Sequence, residues 1–178
     1  LERGQVGLPL RQRAWAGDDR SHQRIGQHPR HRDMRGFGTA CLGVAHEFVV
    51  TGAWPGFDGE RLVADAKKVC EAQIAFWHGT RKPRPPFERY LFLLNAVDEG
   101  YGGLEHRAST ALIASRRDLP QRGRSDTSDG YVNVLGVISH EYFHTWNVKR
   151  LRPAEFARYD YTQENYTRLL WFFEGFTS

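Results

Sequence analysis

The stretch SHEYFHTWNVKRLRP, residues 139–153, decides how this chain is read. It holds His140, Glu141 and His144 in the spacing His-Glu-x-x-His. On a helix, residues four apart lie about 40° apart around the axis, so both imidazoles project from one side. Two such rings can hold one Zn²⁺ at about 2.0–2.1 Å each. Glu141 is offset by about 100° on the same wall. From there its carboxylate can take the proton of a water that attacks a carbonyl carbon. The bland alternative is a helix whose histidines simply face solvent. The surroundings argue against it. Tyr131, Leu135, Ile138, Tyr142 and Trp146 line the opposite face, and Asn133, Gly136 and Val137 share the histidine face. This pattern predicts a helix that is apolar nearly all round and therefore buried. Buried imidazoles beside a buried carboxylate need partners, and a metal supplies them.

A catalytic zinc needs a third protein ligand and one open position. The stretch LLWFFEGFTS (169–178) offers Glu174, flanked by Trp171, Phe172 and Phe173. A carboxylate in such an apolar run is costly unless it is paired or metal-bound. A glutamate on the polar side of a surface helix is the ordinary alternative. Glu155 and Glu164 are rival ligands in more polar surroundings.

Working outward, HEFVVTG (46–52) reads as a strand. Asp58 can cap a helix over roughly 60–77, in which Leu62, Ala66, Val69, Cys70, Ile74 and Trp77 recur at helical steps. Gly79 and KPRPP (82–86) stop it. RYLFLLN (89–95) reads as a buried strand, Gly100, Gly102 and Gly103 mark a turn, and TALIAS (110–115) reads as another strand. Ser128 or Asp129 can cap the helix that carries the motif to about Trp146. Thr162 can cap a third helix that runs to residue 178. The order strand–helix–strand–strand–helix–helix predicts an α+β or mixed α/β class.

The 178 residues carry a net charge of +4, with 40% hydrophobic and 26% charged residues. That is ordinary globular composition. No apolar run approaches the ~20 residues that span a bilayer, so no membrane span is expected. Cys41 and Cys70 are too few for a disulfide scaffold and are expected to be free thiols. His46 and His78 are expected to be structural. Residues 1–36 hold eight arginines against four acidic groups, and the remainder balances 17 basic against 17 acidic. The basic excess therefore belongs to the leader, and no nucleic-acid partner is expected. The leader, taken as residues 1–40, has no apolar period and no signal-peptide core, and it predicts a disordered or out-of-frame segment. Residues 41–178 are the expected domain. Lys149, Arg150 and Arg152 read as a solvated basic cluster after the motif helix, with binding of a substrate carboxylate as the sharper alternative.

HEYFHTWNVKRLRP (140–153) and YTRLLWFFEGFTS (166–178), together with GYGGLEHRAST (100–110), closely resemble the glycyl aminopeptidase family. These are zinc metallopeptidases of the gluzincin type, many with a PDZ domain downstream. The resemblance extends over roughly residues 43–178. It implies α+β architecture of the thermolysin-like kind: the amino-terminal lobe of a catalytic domain plus the third-ligand helix, cut short beyond it. It implies one Zn²⁺ held by His140, His144 and Glu174, with Glu141 as general base and proton shuttle. It likens GGLEH to an edge strand that binds substrate backbone. Glu105 there would pair with a free α-amino group, and Gly102 and Gly103 would let substrate approach closely. The expected substrates are peptides with a free amino terminus, small residues such as glycine first. A gluzincin endopeptidase is the alternative if Glu105 points away from the zinc. An inactive truncated fragment that only binds is another, since the family's closing lobe and its oxyanion-stabilising tyrosine lie past residue 178. The sequence leaves the compartment open between cytoplasm and periplasm.

Overall fold

The structure is a computed structural model, and it describes residues 34–177. Its frame is a five-stranded sheet in the order β1-β2-β3-β5-β4. Strand β1 (Arg35–Cys41) pairs antiparallel with β2 (Val44–Thr51). Helix α1 (Gly59–His78) then carries the chain to β3 (Arg89–Val97), which lies parallel to β2. Strand β5 (Ser109–Ser115) lies parallel to β3, and β4 (Tyr101–Glu105) closes the far edge antiparallel to β5. Helix α2 (Asp129–Phe143) carries most of the His-Glu-x-x-His motif, and α3 (Leu170–Gly175) carries Glu174. The sheet is thus mixed, with a helical crossover between parallel strands. That makes the domain mixed α/β, the second of the two classes expected.

Local chemistry sets the helix ends. The Asp58 carboxylate accepts the Arg61 N–H at 3.0 Å and starts α1. Ser128, not Asp129, caps α2, its hydroxyl accepting the Tyr131 N–H at 3.2 Å. The Gly79 N–H closes α1 on the Ala75 carbonyl at 2.8 Å. Leu62, Val63, Ala66, Cys70 and Ile74 of α1 and Tyr131, Val134, Val137, Ile138 and Tyr142 of α2 form one core with the inner face of the sheet. There Phe48 stacks on Phe92 with ring centroids 4.2 Å apart.

Several expectations need correction. The leader boundary at residue 40 falls inside β1, whose ladder with β2 begins at Arg35. The expectation of disorder over residues 1–33 lies outside the described residues. RYLFLLN is buried on one face only: Tyr90, Phe92 and Leu94 point into the core, while Leu93 is 44% exposed. The glycine-rich segment expected as a turn is strand β4. Helix α2 ends at Phe143 rather than Trp146. The third helix begins at Leu170, not near Thr162. Residues 160–165 fold back on themselves instead: Asp160 accepts the Thr162 N–H and hydroxyl, and Asn165 bonds the Asp160 backbone in both directions. Side chains that satisfy backbone groups locally compete with a helix, and here they win.

Candidate metal centre

Helix α2 lies under the sheet with Glu141 at 5% exposure and His144 at 3%. The face bearing Val132, Asn133 and Gly136 is exposed among the described residues, so α2 is not buried all round as expected. That open face leads to His140, whose side chain is 27% exposed. The helix therefore has a dry side that fixes it and a wet side that presents the motif.

Within the motif, the His144 Nδ1 lies 2.8 Å from the Asn147 carbonyl. A carbonyl only accepts, so Nδ1 carries the proton in the neutral ring and the Nε2 lone pair is left for another partner. That orienting bond is the arrangement seen behind metal-ligating histidines. The His144 Nε2 lies 3.1 Å from the His140 Nε2. Glu174 Oε2 completes the triangle, 3.3 Å from His140 Nε2 and 3.6 Å from His144 Nε2. The point equidistant from these three atoms is about 1.9 Å from each, against roughly 2.0–2.1 Å for zinc–nitrogen and 2.0–2.2 Å for zinc–oxygen bonds. His140, His144 and Glu174 would be the residues to hold such a cation. The donor set and its dimensions fit Zn²⁺.

Glu174 is brought there by tertiary contacts rather than by burial. Its side chain is 48% exposed, so the apolar neighbours that drew attention to it do not enclose it. Of Trp171, Phe172 and Phe173, the last alone is buried, at 3%. Asn147 donates from Nδ2 to the Phe173 carbonyl at 3.1 Å, and Thr177 donates its hydroxyl to the Glu174 carbonyl at 2.6 Å. Asn147 thus sits between the two halves of the triangle: its backbone orients His144 and its side chain holds α3. Sequence reasoning missed it, although its place three residues past the second histidine was the available signal. Glu155 and Glu164 are not part of the cluster.

Glu141 faces the sheet edge. Burial, reinforced by the charges of Glu105 and Glu174, pushes its carboxyl up to about 7 against the opposing pull of His144 and Lys149. A group poised near neutrality can both take and return a proton. His140 is moved the other way, first by burial and then by His144, which holds it below its ordinary value. A neutral imidazole is the form that binds a metal.

Strand β4 runs directly over Glu141. A Cβ at Gly103 would lie 2.5 Å from the Glu141 Oε1 and 2.6 Å from its Cδ. The glycine there makes room for Glu141 itself, a closer constraint than the substrate approach expected of it. Gly102 has open space but φ +146°, a backbone conformation that disfavours any side chain. At the end of β4, Glu105 accepts from the Lys149 Nζ at 2.7 Å. Burial would raise the Glu105 carboxyl, but the Lys149 hydrogen bond and charge outweigh it and hold the group below its ordinary value. Lys149 is therefore ion-paired rather than solvated. Arg150 is also engaged, its guanidinium on the Thr145, Pro86 and Arg107 carbonyls.

A second group of donors sits in the core. Cys41, Cys70 and His46 have ligand atoms within 4.8 Å of one another. Both ring nitrogens of His46 are already engaged, Nδ1 with the Val44 carbonyl at 2.9 Å and Nε2 with the Tyr142 hydroxyl at 2.8 Å. The two cysteines are free and buried, as expected. His78 accepts from the Trp146 indole at 2.8 Å, in keeping with a structural part.

Among the described residues, no helix is long and apolar enough to cross a membrane. Comparison with curated proteins finds none that matches. A solved structure, described as an aminopeptidase N family protein from Idiomarina loihiensis, is 41% identical and superposes with a TM-score of 0.75. The match covers 82% of this chain and 24% of that one, so the chain spans about a quarter of that protein's length. Residues 133–178, which hold the motif and Glu174, match the family model of the M61 glycyl aminopeptidases. Together the two likenesses support assigning the chain to the M61 glycyl aminopeptidase family.

Proposed function

We propose that this chain supplies the metal-binding and proton-transferring part of a zinc-dependent aminopeptidase, one that hydrolyses amino-terminal peptide bonds and favours small residues such as glycine. The observation that supports it most is the triangle of His140, His144 and Glu174 donors with Glu141 beside it. Zinc at that point would polarise the scissile carbonyl and lower the pKa of the attacking water toward about 7.

The chain's own residues do the rest. Glu141 takes the proton of the attacking water and passes it to the leaving amine, which its near-neutral carboxyl permits. Strand β4 lies at the sheet edge beside Glu141 and can pair with an extended substrate backbone. Glu105, at the end of that strand, receives the substrate's α-ammonium. An internal peptide bond brings no such charge, which gives the preference for the amino end. Gly102 keeps the edge free of a side chain. One observation favours the endopeptidase alternative: Glu105 already has a cation on it, Lys149. A site neutralised from within makes a weaker demand for a free amino terminus.

Two measurements test the proposal. Zinc at 100 times its dissociation constant should stabilise the folded chain by about 2.7 kcal/mol in thermal melting. That gain should vanish in His144→Ala and Glu174→Ala. Release of nitroaniline from glycine p-nitroanilide should require zinc and should fall at least about 100-fold in Glu141→Gln. Equal cleavage of the N-acetylated anilide would replace the aminopeptidase reading with the endopeptidase one. Undiminished zinc stabilisation in both ligand variants would remove the metal site.

A further inference from the structure

We propose that Lys149 is an internal competitor for the substrate's ammonium group, filling the Glu105 site until a free amino terminus displaces it. The inference rests on the reading of Glu105 as the ammonium site. Four observations carry it.

The first is chemical identity. A lysine side chain ends in the same –NH₃⁺ group, with three donors, that an amino terminus presents. Its Nζ already sits 2.7 Å from Glu105 Oε1. The second is the setting. Both side chains are partly shielded, with 27% and 22% exposure. A charge-assisted bond in such a place is stronger than one in open water, so the pair is a real barrier to an incoming cation.

The third is backbone strain. Val148, immediately before Lys149, has φ 120°, which is unfavourable for a β-branched residue. Strain of this kind persists only where surrounding contacts over-determine it, and it gathers at functional positions. The fourth is how that strain is held. The Lys149 N–H bonds the His144 carbonyl at 3.1 Å, and the Leu151 N–H bonds the Trp146 carbonyl at 2.8 Å. The Arg152 guanidinium grips the Lys149 carbonyl at 3.2 and 3.1 Å. The backbone of Lys149 is therefore pinned on both sides. Its four-carbon side chain is the part left to move, on and off Glu105.

The consequence is a preference for a free amino terminus that is set, and lowered, by how often Lys149 fills the site. A ligand with a free ammonium can replace what Lys149 gives to Glu105. A blocked amino terminus cannot, and the pair stays closed. If Lys149 occupies Glu105 about nine-tenths of the time, the apparent affinity for an amine is weakened about tenfold.

The test is an NMR titration of the full chain with glycinamide and with N-acetylglycinamide. Lys149→Met should bind glycinamide about tenfold more tightly than the wild type, with no change for the acetylated probe. Lys149→Arg, which keeps the charge, should behave like the wild type. In the wild-type chain, which avoids any folding defect of the variants, the Lys149 Cε resonance should shift on adding glycinamide and not on adding N-acetylglycinamide. Glu105→Gln should abolish the preference for glycinamide. A preference for glycinamide in the wild type that Lys149→Met leaves unchanged or weakens would overturn the competitor role while sparing the Glu105 site. Absence of any preference in both proteins would overturn the Glu105 site and the competitor with it.

Discussion

Gly103→Ala is the sharpest perturbation this structure offers. The added Cβ would lie 2.5 Å from Glu141 Oε1 and 2.6 Å from Cδ, where ordinary contacts are 3.4–4 Å. About 1 Å of separation must be found. Glu141 is 5% exposed and sits on a helix packed into the core, so it has little room to retreat. Among the described residues strand β4 pairs on one side, with β5, so the strand edge gives way together with the carboxylate. Overpacking of this size costs about 1–3 kcal/mol. For a chain of this length each kcal/mol lowers the melting temperature by roughly 2–4 °C. A misplacement of about 1 Å at a reacting group also costs on the order of 100-fold in rate. The assay is a double-mutant cycle with Glu141→Ala, followed by thermal melting. Removing the glutamate side chain beyond Cβ removes the clash, so Gly103→Ala should be close to neutral in that background. The coupling should equal most of the single-mutant loss. An equal loss with and without the Glu141 side chain would refute the argument, because the alanine would then be hurting the strand for some other reason.

Two further outcomes are expected. Tyr142→Phe removes the hydroxyl that bonds His46 Nε2 and leaves a fully buried ring nitrogen unpaired. It should cost about 1–3 kcal/mol in denaturant unfolding, and a loss below 0.5 would speak against that bond. Asp65→Asn should cost about 1 kcal/mol at pH 7, since the carboxylate accepts from Lys68 and from the Tyr131 hydroxyl. Burial would raise Asp65, but these partners hold it below its ordinary value. A carboxyl lowered in the folded state stabilises fully above its unfolded pKa of about 3.9 and loses that contribution as pH falls through the folded value. The gap between variant and wild type should therefore close in acid, and a gap unchanged at pH 2 would contradict the assignment.

Much of the local structure could be read from the chain alone. Caps at Asp58 and Ser128, the stop at Gly79 and the apolar face of α1 rest on contacts within a few residues, and such signals survive in a linear string. The third helix failed because Asp160 and Asn165 offered the backbone a local alternative, and a string of residues does not say which of two nearby bonding schemes wins. The exposure of Leu93 was missed because a continuous apolar run does not reveal that one face of a strand is left open among the described residues. Strand β4 was read as a turn from its glycines alone. Only the family likeness suggested an edge strand, because the reason for Gly103 is a side chain 38 positions away.

The spacing of His140, Glu141 and His144 is a property of the sequence, because helical geometry alone puts both imidazoles on one side. The choice of third donor is a property of the fold. Glu174 reaches Nε2 of both rings because Asn147 ties α3 to the turn after α2. The pairing of Glu105 with Lys149 likewise needs β4 in register with β5 and a strained turn at Val148. A chain writes its short-range geometry in its spacing. Contacts between distant segments depend on which surfaces the core brings together, and here they decide what surrounds the motif.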